Sequence, residues 1–96
     1  MGTKAAELAA LLKDKKIIYV NIERPDNNGS TTETTIEDDQ GIFSSVEEDT
    51  ITFRGDGITA SFTMLENAQI ITNRTAGGVI ISTFAENGGL QIRSSV

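Results

Sequence analysis

The alternation of apolar and polar residues along the chain predicts one helix followed by several short β-strands. Apolar residues at spacings of three and four mark one face of a helix over residues 3–14, with Thr3 as its N-cap. From residue 16 onward the period becomes two, which is the spacing of a strand that buries one face. Turn-forming residues divide this part into predicted strands at 16–23, 31–36, 41–46, 49–54, 58–65, 69–72, 79–86 and 90–96.

The connections refine this pattern. The β-branched, polar segment 31–36 fits either an exposed strand or part of a long loop, and the acidic residues 37–39 after it are typical of a solvated turn. Asn87 and Gly88 predict a C-terminal hairpin over 79–96. Turns recur about every eight to twelve residues, which favours a mainly β, antiparallel barrel or sandwich in a single domain.

Length and composition limit how such a domain can be stabilised. The chain has 96 residues, no Cys and no His, so disulfides, thiolate metal sites and histidine catalysis are excluded. A core of this size gives marginal stability. We therefore expect assembly into an oligomer to supply additional stability.

The charge distribution limits the partners. The net charge is −6, and residues 33–49 contain seven carboxylates and no basic residue, whereas all four Lys lie within residues 4–16. An acidic chain binds phosphate-rich surfaces poorly, so neither DNA nor a membrane is expected as a partner. The sequence has no predicted signal peptide or membrane span, which favours a cytoplasmic location.

The segment from Gly41 to Glu47, read GIFSSVE, resembles the end of the bent second strand in the Sm-like family, including its bacterial Hfq-like branch. Thr50–Phe53 is similar to the third strand of that family, and residues 57–71 are similar to its fourth strand, kink and fifth strand. The resemblance implies an N-terminal helix and a strongly bent, five-stranded antiparallel barrel over residues 16–72. The hairpin over 79–96 is extra. The resemblance also implies that the fourth and fifth strands are sheet edges, through which identical subunits pair into a ring.

The sequence departs from the family pattern at several positions, and it can be aligned with the family's strands in two registers. Glu47 stands where the family has a pocket-forming Asp, and residues 62–65 replace the Tyr-Lys-His segment of the Hfq-like branch. In the second register, residues 58–65 form the fifth strand, and Arg54-Gly55-Asp56 then matches the Arg-Gly signature of Sm proteins. These three residues equally fit a tight hairpin turn.

Candidate binding residues follow from the resemblance and from the strand pattern. For nucleic acid the candidates are Glu47, Asp49, Phe53 and Arg54, although alternation favours a core position for Phe53, and Phe62 has the same alternative. Lys13, Lys15 and Lys16 form either a basic rim or a solubilising helix end. The predicted oligomer interface consists of Ile58, Ala60, Phe62, Met64 and Ile70.

No catalytic constellation, cofactor motif or metal site is predicted, and an enzyme is not expected. The acidic groups 37–39 and 47–49 lack the alternating ligand spacing of a calcium loop, and solvated turns explain them. Two functions fit these observations. The first is an Sm-like, ring-forming protein that binds single-stranded RNA weakly or serves as a scaffold for the RNA machinery. The second is a structural or adaptor β-barrel subunit with no nucleic-acid role.

Overall fold

The computed structural model describes residues 3–95, and these residues form one short N-terminal helix followed by seven strands. Residues 1, 2 and 96 of the predicted domain and hairpin lie outside the described residues. The bounds are α1 Lys4–Leu12, β1 Lys16–Pro25, β2 Thr31–Glu47, β3 Thr50–Gly55, β4 Ile58–Thr63, β5 Gln69–Thr75, β6 Gly78–Ala85 and β7 Gly88–Ser95. No helix among them is long and apolar enough to cross a membrane.

All seven strands belong to one antiparallel sheet in the order β4-β3-β2-β1-β7-β6-β5. The long strand β2 joins the two halves of this sheet. Its first part, up to Ile42, pairs with β1, and its second part, from Phe43, pairs with β3. Gly41, with φ of 111°, lies at the change of partner, where a backbone without a Cβ can bend sharply.

The predicted five-stranded barrel is wrong. Closing such a barrel over residues 16–72 would leave the C-terminal hairpin outside the sheet, but β7 pairs with β1 along nearly its whole length. The hairpin of β6 and β7 thus lies between β1 and β5 and extends the sheet to seven strands. The two edge strands are nevertheless the fourth and the fifth, as predicted.

The segment between the first turn and β3 also differs from the prediction. Residues 31–36 and 41–46 form one continuous strand, and the acidic residues 37–39 lie within it instead of in a turn. Their side chains remain exposed or half-buried, so the strand tolerates three successive carboxylates. The C-terminal turn is at Glu86 and Asn87, one residue earlier than the Asn-Gly pattern predicts, with Gly88 opening β7.

The sheet curls around its core. Strands β4 and β5 lie at opposite edges, yet only residues 64–68 connect them. Five residues reach across at most about 20 Å, whereas seven flat strands would hold their outer members about 29 Å apart. A hydrogen bond of 2.9 Å from Asn87 Nδ2 to the Thr63 carbonyl oxygen joins the β6–β7 turn to the end of β4. The sheet is therefore open but strongly bent.

The core fills the inside of this curl. Phe53 and Phe62, on β3 and β4, are both buried. Strand alternation predicts this for Phe53, whereas Phe62 is predicted at the oligomer interface. The helix contributes Ala5, Leu8 and Leu12 from one face, and it contacts β2 and β3. Its predicted N-cap is present, because the Ala6 amide donates to Thr3 Oγ1 at 3.1 Å. The other fully buried aliphatic side chains come from both halves of the sheet and include Val20, Ile22, Ile36, Ile51, Ile81 and Ile92.

Candidate functional site

The structure divides the predicted nucleic-acid residues between core and surface. Phe53 is fully buried, so its ring cannot stack on a base. Glu47 ends β2 and Asp49 lies in the following turn, both exposed. Arg54 is exposed on the outer face of β3, directly opposite Phe43 of β2. Of the four predicted residues, only Arg54 therefore lies beside an accessible aromatic ring.

That ring, Phe43, was missed as a candidate. Its side chain is 78% exposed, more than any other large apolar side chain in the described part of the chain. Together with Arg54, Thr52 and Ser45 it lines a shallow recess of about 210 Å³ on the outer face of the sheet. Alternation in the sequence places Phe43 on the strand face opposite Ile42, but only the structure shows that the Ile42 face is the buried one.

The acidic groups act in the structure as exposed or local hydrogen-bonding residues. Asp38 accepts hydrogen bonds from the Gln40 amide and, through its other oxygen, from the Asp56 amide, each at 2.9 Å. The second bond ties β2 to the turn between β3 and β4. Within residues 3–95, no three acidic residues are grouped as ligands for a metal ion.

The predicted interface residues are mainly core residues of the same chain. Ala60, Phe62 and Met64 are buried, and Ile58 and Ile70 pack partly against the core. Their side chains are therefore occupied within the monomer. Pairing with another subunit would have to use the backbone of the edge strands.

Strand β5 presents the more accessible edge. Six of its seven residues are exposed, and only Ile70 is half-buried. A two-residue turn connects it to β6 through the Thr75–Gly78 pair. In a two-residue turn the flanking residues form a hydrogen-bonded pair, so the N–H of Thr75 points toward β6. The direction alternates from residue to residue along the strand. The N–H groups of Ile70, Thr72 and Arg74 therefore point away from β6. On the opposite edge, the carbonyl of Thr63 already accepts a hydrogen bond from Asn87.

The outer face of β2, β1 and β7 carries an ordered polar surface. The Arg93 guanidinium lies 5.1 Å from the centroid of the Tyr19 ring. Asn21 is 8% exposed, and its amide donates to Glu33 Oε2 at 3.1 Å while its oxygen accepts from Thr35 Oγ1 at 2.7 Å. These side chains are held in fixed positions by their neighbours.

Comparison with models of known protein families, with curated proteins and with solved structures finds no match to this chain. Three surface features of the molecule can bind a partner: the β5 edge, the Phe43–Arg54 surface and the polar face of β2, β1 and β7.

Proposed function

We propose that this chain is a structural or adaptor subunit that associates with copies of itself through the free edge of β5. The observation that carries the proposal is the exposure of this strand, whose outward N–H and C=O groups have no strand partner within the described residues. An unpaired strand edge is a template for another strand, since each backbone hydrogen bond formed there extends the sheet.

The composition of β5 supports this role. It reads QIITNRT, with three β-branched residues in its first four positions and one more at its end, no Pro, and Arg74 as its one charged residue. Edges that avoid pairing usually carry Pro, a bulge or inward-pointing charges, and β5 has neither Pro nor an irregular register with β6. The absence of Cys leaves assembly as the available means of adding stability to a chain of 96 residues.

Two geometries of association use the same edge. Two β5 strands paired about a two-fold axis at Thr72 would place Ile70 opposite Arg74 and close as a dimer. Pairing of β5 with β4 of the next subunit would run head to tail and give the ring implied by the Sm-like resemblance. The hydrogen bond from Asn87 already occupies one outward carbonyl of β4, and this favours the two-fold arrangement.

Substitution of Thr72 by Pro tests the proposal. Pro removes an outward N–H without removing a bond to β6, so we expect Thr72→Pro to convert an oligomer into a monomer. Light scattering coupled to size exclusion at micromolar concentration measures the mass, and circular dichroism checks that the strands persist. Thr72→Val keeps the N–H and should leave the oligomer unchanged.

A matched change on the other edge separates the two geometries. Ser61→Pro on β4 should dissociate a head-to-tail ring and leave a two-fold dimer intact. A wild-type chain that is monomeric at these concentrations would contradict both geometries and the proposal itself.

Weak binding of single-stranded RNA is the second candidate, and the Phe43–Arg54 pair supports it. An exposed ring can stack on an unpaired base while the adjacent guanidinium contacts a phosphate. The net charge of −6 opposes this function because it repels the phosphate backbone. A ring of subunits would offset a weak single contact by presenting several copies together.

Measurement of oligonucleotide binding tests this second candidate function. Short A-rich or U-rich RNA should bind at about 50 mM salt, where phosphate contacts are strong, and Phe43→Ala or Arg54→Gln should weaken the binding. Phe84→Ala, which removes an exposed ring from another part of the sheet, is the control. Absence of binding at low salt would remove RNA from consideration and leave the assembly proposal standing.

A further inference from the structure

A recess on the outer face of the sheet has the composition of a ligand site. It has a volume of about 450 Å³, lies across β1, β7 and β6, and is separate from both edge strands. Its principal lining residues are Asn21, Glu23, Ser82, Phe84, Gly89 and Gln91. Because β1, β6 and β7 are interior strands, pairing at an edge would leave this recess open.

The recess exists because a glycine interrupts a row of side chains. Phe84, Gly89 and Glu23 lie directly opposite one another on β6, β7 and β1. Neighbouring strands are about 4.8 Å apart, so the Phe84 ring and the Glu23 carboxylate flank a gap about 10 Å wide in which the middle residue has no side chain. The Phe84 ring is 56% exposed, which leaves much of its apolar surface available to a ligand.

The next row along the strands supplies hydrogen-bonding groups. Ser82, Gln91 and Asn21 are again directly opposite one another. Each of these side chains can both donate and accept. Asn21 is fixed by Glu33 and Thr35, yet its amide retains one N–H and its oxygen one lone pair for a further partner. A polar row thus lies beside an exposed aromatic ring.

We propose that this recess binds a neutral carbohydrate. A sugar ring combines an apolar C–H face, which suits the exposed Phe84 ring, with hydroxyl groups that both donate and accept, which suit the amides and Ser82. Glu23 can accept bonds from two adjacent hydroxyls. Among the lining residues it is the only charged one, so an anionic ligand would be repelled, and a purely apolar ligand would leave the polar row unpaired.

Titration of the full chain with defined sugars tests the proposal. The probes are neutral tetrasaccharides of glucose, N-acetylglucosamine, mannose and galactose, each added up to about 10 mM, with ¹⁵N NMR as the readout. We expect at least one of them to shift the Gly88 and Gly89 amides and the Asn21 and Gln91 side-chain amides. Because the ligand is neutral, raising the salt concentration should leave the affinity almost unchanged.

Two variants and a control link such shifts to the recess. Gly89→Val fills the gap, and the fold can accept it because a Cβ there would lie at ordinary contact distances, 3.6 Å from the Thr83 carbonyl oxygen and 3.9 Å from Phe84 Cδ1. We expect Gly89→Val to abolish binding and Phe84→Ala to weaken it about tenfold. Phe43→Ala removes another exposed ring, elsewhere on the sheet, and should have no effect.

Three results would overturn the proposal. The first is the absence of shifts with all four sugars. The second is binding that persists unchanged in a folded Gly89→Val variant. The third is a salt-sensitive response of the same amides to tetramethylammonium chloride without a response to sugar, which would identify a cation site formed by Phe84 and Glu23.

Discussion

At the scale of single residues, Thr83 is a buried hydroxyl that the fold does not satisfy. The residue is fully buried, and its Oγ1 has no hydrogen-bond partner within residues 3–95. Val has nearly the same shape and no polar atom to desolvate. We therefore expect Thr83→Val to raise the free energy of unfolding by about 1 kcal/mol in urea denaturation.

Thr52→Val is the matched control for that measurement. The Thr52 hydroxyl lies 2.8 Å from the Ser61 hydroxyl, so its removal deletes a hydrogen bond between β3 and β4. This variant should lose up to about 1 kcal/mol. Equal effects of the two substitutions would mean that the Thr83 hydroxyl is satisfied after all.

The burial of some aromatic residues can be predicted from the sequence, and the exposure of others cannot. Alternation within β3 correctly predicts that Phe53 is buried, whereas Phe62 is predicted at the oligomer interface and is buried in the core. The same rule does not reveal that Phe43 and Phe84 are exposed. Which face of a strand is covered depends on elements far away in the chain, and local spacing carries no information about them.

At the scale of elements, Asn87 connects two hairpins that are not neighbours in the sheet. Its side chain in the β6–β7 turn donates to the Thr63 carbonyl oxygen at the end of β4. Asn87→Ala removes this bond and leaves the carbonyl to water, so we expect a loss of about 1 kcal/mol of unfolding free energy by thermal or urea denaturation.

Substitution of Glu86, the adjacent turn residue, is the control for Asn87→Ala. Glu86 is exposed and forms no hydrogen bond through its side chain among those described, so Glu86→Ala should change the stability by less than about 0.5 kcal/mol. If the two variants were equally stable, the contact between the β6–β7 turn and β4 would contribute nothing to holding the curl.

The strands were predictable from the sequence to a greater extent than their partners. The helix, the strand at 49–54 and the C-terminal hairpin follow from local periodicity and turn chemistry. The barrel prediction failed because it confined the sheet to residues 16–72 and left the C-terminal hairpin as an extra, whereas β7 of that hairpin pairs with β1. Such a pairing joins residues about seventy positions apart, and it is decided by which apolar faces cover one another in the folded chain.

At the scale of the whole molecule, charge and edge pairing act in opposite directions on association. Each copy has a net charge of −6, so two copies repel at low ionic strength even where their β5 edges fit. Salt screens this repulsion and leaves the short backbone hydrogen bonds of a strand pair largely unaffected. We therefore expect self-association to strengthen as salt rises from about 20 to 300 mM, over which the Debye length falls below the size of the interface.

Thermal unfolding at several protein concentrations tests this balance. Association stabilises the folded state by mass action, so the Tm of the wild-type chain should rise with concentration, and more steeply at high salt. The Tm of Thr72→Pro should not depend on concentration at either salt level. RNA binding would have the opposite salt dependence, because it releases counterions from phosphate. The sign of the salt effect thus separates an assembly driven by strand pairing from one held together by a bound nucleic acid, and a concentration-independent wild-type Tm would rule out assembly by strand pairing.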